Sequence, residues 1–479
     1  MKRILPLLSL LILANFNLSA SHMMGGDIAY ECISPGKYKL VVKIYRDCRG
    51  IPFNNPDIGM YCKDGSTSVT VNYTRTAIND ITEVCNSDPK PCNPENTTIS
   101  SPGIEEHVFE AIVDFNTSPF KAFKDAGCCE VMIKVEQNAR NSALTTLVAG
   151  NFYTDAMINI CKIGDKCNTS PQLSTPPVAF ICCNKPFTFN NGVREVVDGD
   201  SLSYSLVNAL KGNQTNETYF GAFCPTLPMT PYCPPNPGIL NCRPLPNADP
   251  PRGFYFDKET GDIIFTPTKC DEAGVIVIRI DEWRKNPDTK QWELIGFTKR
   301  DMQLVVKLCP NNNPPYFVTK TNKYSVCEGN RLCFDIITKD DPFLPNQIIP
   351  DTLALTWNFG IPQATFTIVD PTAREKTAKF CWDTKIGDAR PNPYTFTATV
   401  KDNNCDNPAK ANKGYNITVK PKARSTRKYT LGDCGWLKWK ATPVDTINQN
   451  PKNYVYQFTI RDSTNSGVPY YMTYKQLDS

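Results

Sequence analysis

The sequence predicts an all-β protein built of several disulfide-stabilised sandwiches, and three observations lead there. Apolar residues alternate with polar ones at period two, as in YKLVVKIYRD, where Tyr38, Leu40, Val42 and Ile44 share a face, and in YVYQFTIRD, where Tyr454, Tyr456, Phe458 and Ile460 do. Forty prolines cut the apolar pattern into short runs that disfavour long helices. Twenty-one cysteines, without any Cys-x-x-Cys spacing, point to disulfides in an oxidising compartment rather than to a thiolate metal site.

Each segment follows in order. Lys2 and Arg3 precede the apolar run Ile4 to Phe16, and small residues Ser19, Ala20 and Ser21 come next, which is the layout of a secretory signal peptide over 1–21. No later run is long enough for a membrane helix. Without Lys2 and Arg3 the formal charge of +4 falls to +2, with the basic residues dispersed, so nucleic acid is excluded as a partner class. Residues 22–166 read as a separate cysteine-rich β domain that opens with a hairpin, DIAYEC turning through Ser34 to Lys37. Only Ser118 to Ala126 and Asn141 to Val148 carry a weak helical pattern. Neighbouring residues on a strand face opposite ways, so Cys128 and Cys129, like Cys182 and Cys183, are expected to bond elsewhere rather than to each other.

An internal repeat follows. ICCNKPFTF, DSLSYS, GDIIFTPT, VIVIRIDE and MQLVVKLC recur in order as VCEGNRLCFDI, DTLALT, TAKFCWDT, YTFTATVKD and YNITVKP. About seven short strands per copy predict immunoglobulin-like or cadherin-like sandwiches at 167–310 and 311–422. The first copy carries a long Pro- and Cys-rich insertion, expected to be stapled by Cys224, Cys233 and Cys242 and to offer a contact surface. Residues 423–479 read as a partial β segment.

The start SHMMGGDIAYEC, the YRDC at Tyr45 to Cys48, DGDSLSYSL, FYFDKETGDIIFTPT and RDMQLVV resemble secreted Bacteroidota proteins labelled gliding-motility-associated or surface-adhesin-like. The resemblance runs to about Lys422. It implies export, with the type IX route following the general secretory step, and display on the outer surface or release. The end, VPYYMTYKQLDS, departs from the glycine-containing sorting motifs of that group.

Candidate chemistry is sparse. Calcium, a hard cation, takes carboxylates from strand ends; the candidates are Asp198, Asp200, Asp281 and Glu282 in the first copy and Asp340, Asp341, Asp351 and Asp402 in the second. The competing reading of Asp198 and Asp200 is a turn that starts a strand. The linker CPNNNPPYF has cadherin-linker character but no aspartate. A copper alternative has His22 at a mature N-terminus chelating with amine and imidazole and His107 as third donor, in the manner of a histidine brace. No G-x-S-x-G elbow is present. Adjacent acids such as Glu105 and Glu106 face opposite ways and form no dyad. Trp283 and Trp292 flank a hairpin turn, where cross-strand packing is the expected role and sugar stacking the alternative; Trp357 and Trp382 are expected in the second core. The sequence therefore predicts a non-enzymatic surface or secreted protein that binds a cell-surface protein or glycan. The competing class is a polysaccharide-active secreted enzyme or carbohydrate-binding accessory protein.

Overall fold

The computed structural model describes residues 23–421, apart from 53–54, 84–90, 94–102, 164–165, 178–179, 195–199, 235–241, 287, 345–349 and 406–407, and beyond them only the backbone of four strands between 428 and 473. The signal segment, His22 and Asp198 lie outside the described residues. Among the described residues nearly all the regular secondary structure is strand. A one-turn helix at Lys121–Asp125 falls within the first helical expectation, whereas 141–148 forms turns; a second short helix, Ile160–Ile163, was not expected.

The alternating segments form strands because each has one apolar edge to bury. Three large cores result among the described residues, with smaller clusters beside them: one in the N-terminal unit around Ile28, Val42, Phe109 and Val135, one in the first sandwich around Phe189, Ile263, Ile278 and Leu304, and one in the second around Phe380, Trp382, Phe396 and Tyr415. In the second sandwich, Arg331–Lys339 and Thr377–Asp383 face Tyr394–Lys401 and Lys410–Lys420. Aromatic rings fill the gap between them, Phe380 lying over Phe396 with centroids 4.5 Å apart. The second copy is thus a two-sheet immunoglobulin-like sandwich.

The N-terminal unit keeps its own core, but its sheet does not end at 166. The 16-residue strand Trp292–Lys307 is the spine of a 14-stranded sheet. One edge pairs along its whole length with Ala273–Lys285. The other edge takes three strands in turn: Phe152–Asn159 at Gly296 and Phe297, Met23–Ser34 at Arg300 to Met302, and Phe180–Cys182 at Val305 to Lys307. The expected boundary is therefore one between cores and not between sheets. A strand this long reaches past the core it was assigned to, and period-two alternation gives no sign of where one core stops and the next begins.

The cysteines behave as neighbours on a strand should. Cys128 bonds Cys62 and Cys129 bonds Cys161; Cys182 bonds Cys309 and Cys183 bonds Cys270. Cys32–Cys167 ties the first hairpin to the start of the first sandwich. The long insertion is stapled by Cys233–Cys242, while Cys224 is a free thiol and takes no part, contrary to expectation.

Candidate functional site

The sequence motifs converge on the joins between the cores. Gly25, Gly26 and Asp27 of the first strand pair with Met302, Asp301 and Arg300. A Cβ at Gly25 would stand 2.2 Å from the Asp301 carbonyl oxygen, so the strands approach this closely only because the side chain is missing. The Asp27 carboxylate accepts hydrogen bonds from Arg300 at 3.0 Å and from the Tyr45 hydroxyl at 2.8 Å. Burial, then the Asp27 charge, raises the Tyr45 phenol well above its ordinary value. Beside it Arg140 grips Asp301 through both oxygens, at 2.9 and 2.6 Å, with Glu217 at 3.2 Å. These charges are buried and paired, as burial of ions requires.

A second network joins the same two units on the same sheet. Arg284 donates to both oxygens of Asp200, at 2.8 and 2.7 Å, and to Asn168 Oδ1 at 2.7 Å. Asn168 donates to the Tyr30 hydroxyl at 3.2 Å, and that hydroxyl donates to the fully buried Glu282 at 2.9 Å. DGDSLSYSL thus places Asp200 as an anchor, Leu202, Tyr204 and Leu206 on the core side, and Ser203 where it accepts the Trp283 indole N–H at 3.0 Å. Asp281 pairs with Arg279 at 2.7 Å. The first-copy acids within the described residues are therefore brought to protein partners and not to one another, the reverse of what a shared calcium ion needs.

The two sandwiches meet at a polar joint. Asp262, from the FYFDKETGDIIFTPT motif, accepts from Asn190 Nδ2 at 2.7 Å, the Gly414 N–H at 2.9 Å and Asn322 Nδ2 at 3.2 Å. Burial pushes its carboxyl up to about 6. Thr397 donates to Asn190 Oδ1 at 2.9 Å and Asn416 Nδ2 to the Glu259 carbonyl at 3.1 Å. Lys413, next to this joint, donates to the Thr319 and Lys320 carbonyls, and burial lowers its ammonium to about 8.

The second-copy acids gather at the end of that sandwich facing the linker. Asn312 Nδ2 donates to Asp402 at 2.7 Å, Asn404 Nδ2 donates to Asp351 at 3.2 Å and to the Asn311 carbonyl at 3.3 Å, and Asn313 Nδ2 donates to the Asp341 carbonyl at 2.9 Å. Burial, then the charges of Asp402 and Asp351, pushes the Asp340 carboxyl up to about 7; burial pushes Asp402 up to about 6. Asp340 Oδ2 is buried without a hydrogen-bond partner. A buried, orphaned carboxylate oxygen repelled by Asp402 and Asp351 is the kind of ligand a hard cation takes. No three His, Cys, Asp or Glu side chains among the described residues are already grouped to hold a metal. Arg374 supplies part of the positive charge, donating to the carbonyls of Asp340 and Asp351.

The remaining candidates have structural neighbours. His107 is buried on Ile104–Asp114 with Nε2 3.1 Å from Glu105, whose carboxyl is held below its usual range by that hydrogen bond and by Arg46. Trp283 and Trp292 do not face each other: Trp283 pairs with Leu294 and Trp292 with Lys285, and Trp292 is exposed. The hairpin closes at Lys285 and Trp292, which leaves the two tryptophans two positions out of register, and no sequence pattern announces it. Trp382 is buried in the second core and Trp357 partly so.

No family model matches the chain, and no curated protein does. Among solved structures, the N-terminal four Ig domains of Dscam1 isoform 6.44 are similar at 10% identity over 94% of this chain and 99% of that one, with a TM-score of 0.17. Titin domains z1z2 in complex with telethonin align at 12% identity over 53% of this chain and 99% of theirs, with a TM-score of 0.16. An endo-fucoidan hydrolase of glycoside hydrolase family 107 aligns at 9% identity over 77% of this chain and 42% of its own, with a TM-score of 0.16.

Proposed function

We propose that this protein is exported and works at or beyond the cell surface as a structural and binding component, of the adhesion or gliding-motility kind, and not as an enzyme. The observation that carries the reading is the joining of the first two cores by a shared strand, buried ion pairs and a disulfide, and of the third to them by the hydrogen bonds around Asp262. Every sequence motif that resembles a surface adhesin contributes to those joins. Rigid units hold their loops at fixed spacing, and weak contacts repeated over many copies then add through multivalency. Display of an epitope-tagged chain on intact cells, with loss of attachment or gliding on deletion of the gene, tests this. A tag shielded from external protease, or unaltered attachment and gliding in the deletion strain, contradicts it.

We further infer that calcium is taken up at the linker-facing end of the second sandwich by Asp340, Asp351 and Asp402. Bound there, the ion would supply the positive charge that relieves their repulsion and would stiffen the joint beside Asn311 to Asn313. No chemistry on a substrate is assigned to it.

A further inference from the structure

Between the two sandwiches lies a loop whose backbone is bent for the sake of an exposed ring. Phe359 has φ of 54°, the left-handed region that a bulky L-residue adopts only under constraint, and its side chain is 61% exposed. The ring therefore gains little burial to offset the conformation, and such strain persists where surrounding structure enforces it. Asn358 is that enforcement: its Oδ1 accepts from the Gly360 and Thr397 amides at 3.1 and 3.0 Å, and its Nδ2 donates to Ser174 Oγ at 3.1 Å and the Gly192 carbonyl at 3.3 Å. Gly360 is required because a Cβ there would stand 2.3 Å from the Thr395 carbonyl oxygen. The Phe359 ring lies 4.9 Å from Trp357, which stacks on Phe366 at 5.5 Å. Arg194 reaches the same loop, donating through Nη2 to the Phe359 carbonyl at 3.5 Å; its Nε is buried without an acceptor, and it forms no ion pair among the described residues.

We propose that Phe359, backed by Trp357 and flanked by Arg194, is a binding hot spot for an acidic protein segment that pairs an apolar side chain with a neighbouring carboxylate. Rigid aromatic anchors beside arginine are the groups that dominate protein interfaces, and a pre-set loop avoids the ordering cost of binding. The amide of Asn358 is already fully engaged, so among the described residues named here the patch offers the Arg194 cation and the rings of Phe359 and Trp357. A sugar chain, with hydroxyls needing several partners, fits it less well. The proposal rests on the binding function given above.

The test uses the full mature chain with its disulfides formed and fluorescent twelve-residue peptides of alternating Glu and Phe. Alternating Lys and Phe, alternating Glu and Ser, and polygalacturonate serve as comparisons, and binding is read by anisotropy or by competition. The Glu and Phe peptide is expected to bind about tenfold tighter than each of them. Phe359→Gly is expected to lose about tenfold of that affinity while its melting temperature stays equal or rises, because glycine accepts the backbone angle. Arg194→Gln is expected to weaken binding and flatten its salt dependence. Unchanged affinity in Phe359→Gly, a Phe359-dependent preference for polygalacturonate, or a lowered melting temperature in Phe359→Gly overturns the proposal. In cells, attachment lost on gene deletion but kept by Phe359→Gly would sink this site and leave the broader function standing.

Discussion

Asp27 and Arg300, 273 residues apart in the chain, are register partners on neighbouring strands and form a buried ion pair 3.0 Å long. One belongs to the first described strand, Met23–Ser34, and the other to the spine strand of the first sandwich. The N-terminal unit is therefore completed by a strand laid into the middle of a sheet that the first sandwich also uses.

Asp27→Asn removes the charge that Arg300 and Tyr45 were placed to meet. Breaking a buried pair from one side costs about 3–5 kcal/mol, because the remaining charge stays in a dry site. Denaturant unfolding of the variant is expected to show that loss, with much of it recovered in Asp27→Asn combined with Arg300→Met. A loss below about 1 kcal/mol would place the stability of the join elsewhere.

Asp200→Ala leaves Asn168 as the side-chain acceptor of Arg284 among those named above. A stability loss of about 1–3 kcal/mol is expected, equal with calcium and with chelator, since both oxygens of Asp200 already serve the guanidinium. A calcium-dependent loss would return Asp200 to the ion-site reading.

Acidification has a definite sign here. The carboxyls of Asp340, Asp402 and Asp262 stand at about 7, about 6 and about 6, all above the unfolded carboxylate range near 4. The folded state therefore binds these protons more tightly than the unfolded one. Stability is expected to rise as pH falls from 8 to 5 and to be lost as pH rises through 6 to 7. Calcium is expected to raise the melting temperature at pH 8 more than at pH 5, because ion and proton compete for Asp340. Asp340→Asn should abolish the calcium response and raise stability at pH 8 without calcium. A calcium response that survives Asp340→Asn would exclude this end as the ion site.

Peptide mapping under non-reducing conditions is expected to recover Cys62–Cys128, Cys129–Cys161, Cys182–Cys309 and Cys183–Cys270. Removing Cys182–Cys309, which closes a loop spanning 127 residues, is expected to cost about 4–5 kcal/mol. A vicinal bond in either adjacent pair would contradict the strand geometry.

Much of the fold was legible because burial imposes a period. Leu40, Val42 and Ile44 alternate into the first core as read, and the repeat placed DSLSYS and DTLALT at the same step of two sandwiches. The partners of charged residues were not legible. Asp200 looks the same in sequence whether a cation or Arg284 stands opposite, and the answer depends on a residue 84 positions away. The joins were hidden for the same reason: Asp27, Arg300 and Asp262 are ordinary surface-type residues until the register that buries them is known. Phe359 carried no signal at all, since its meaning lies in a backbone angle and not in a neighbour along the chain.

The central claim is that the cores form one rigid presenting body, and paired spin labels measure this most directly. Nitroxides at the exposed positions Ile112, Thr289 and Val369 report the N-terminal unit, the first sandwich and the second. Narrow distance distributions for all three pairs, with broadening of the Ile112–Thr289 pair in Asp27→Asn, are the predicted result; broad distributions in the unaltered protein would contradict it.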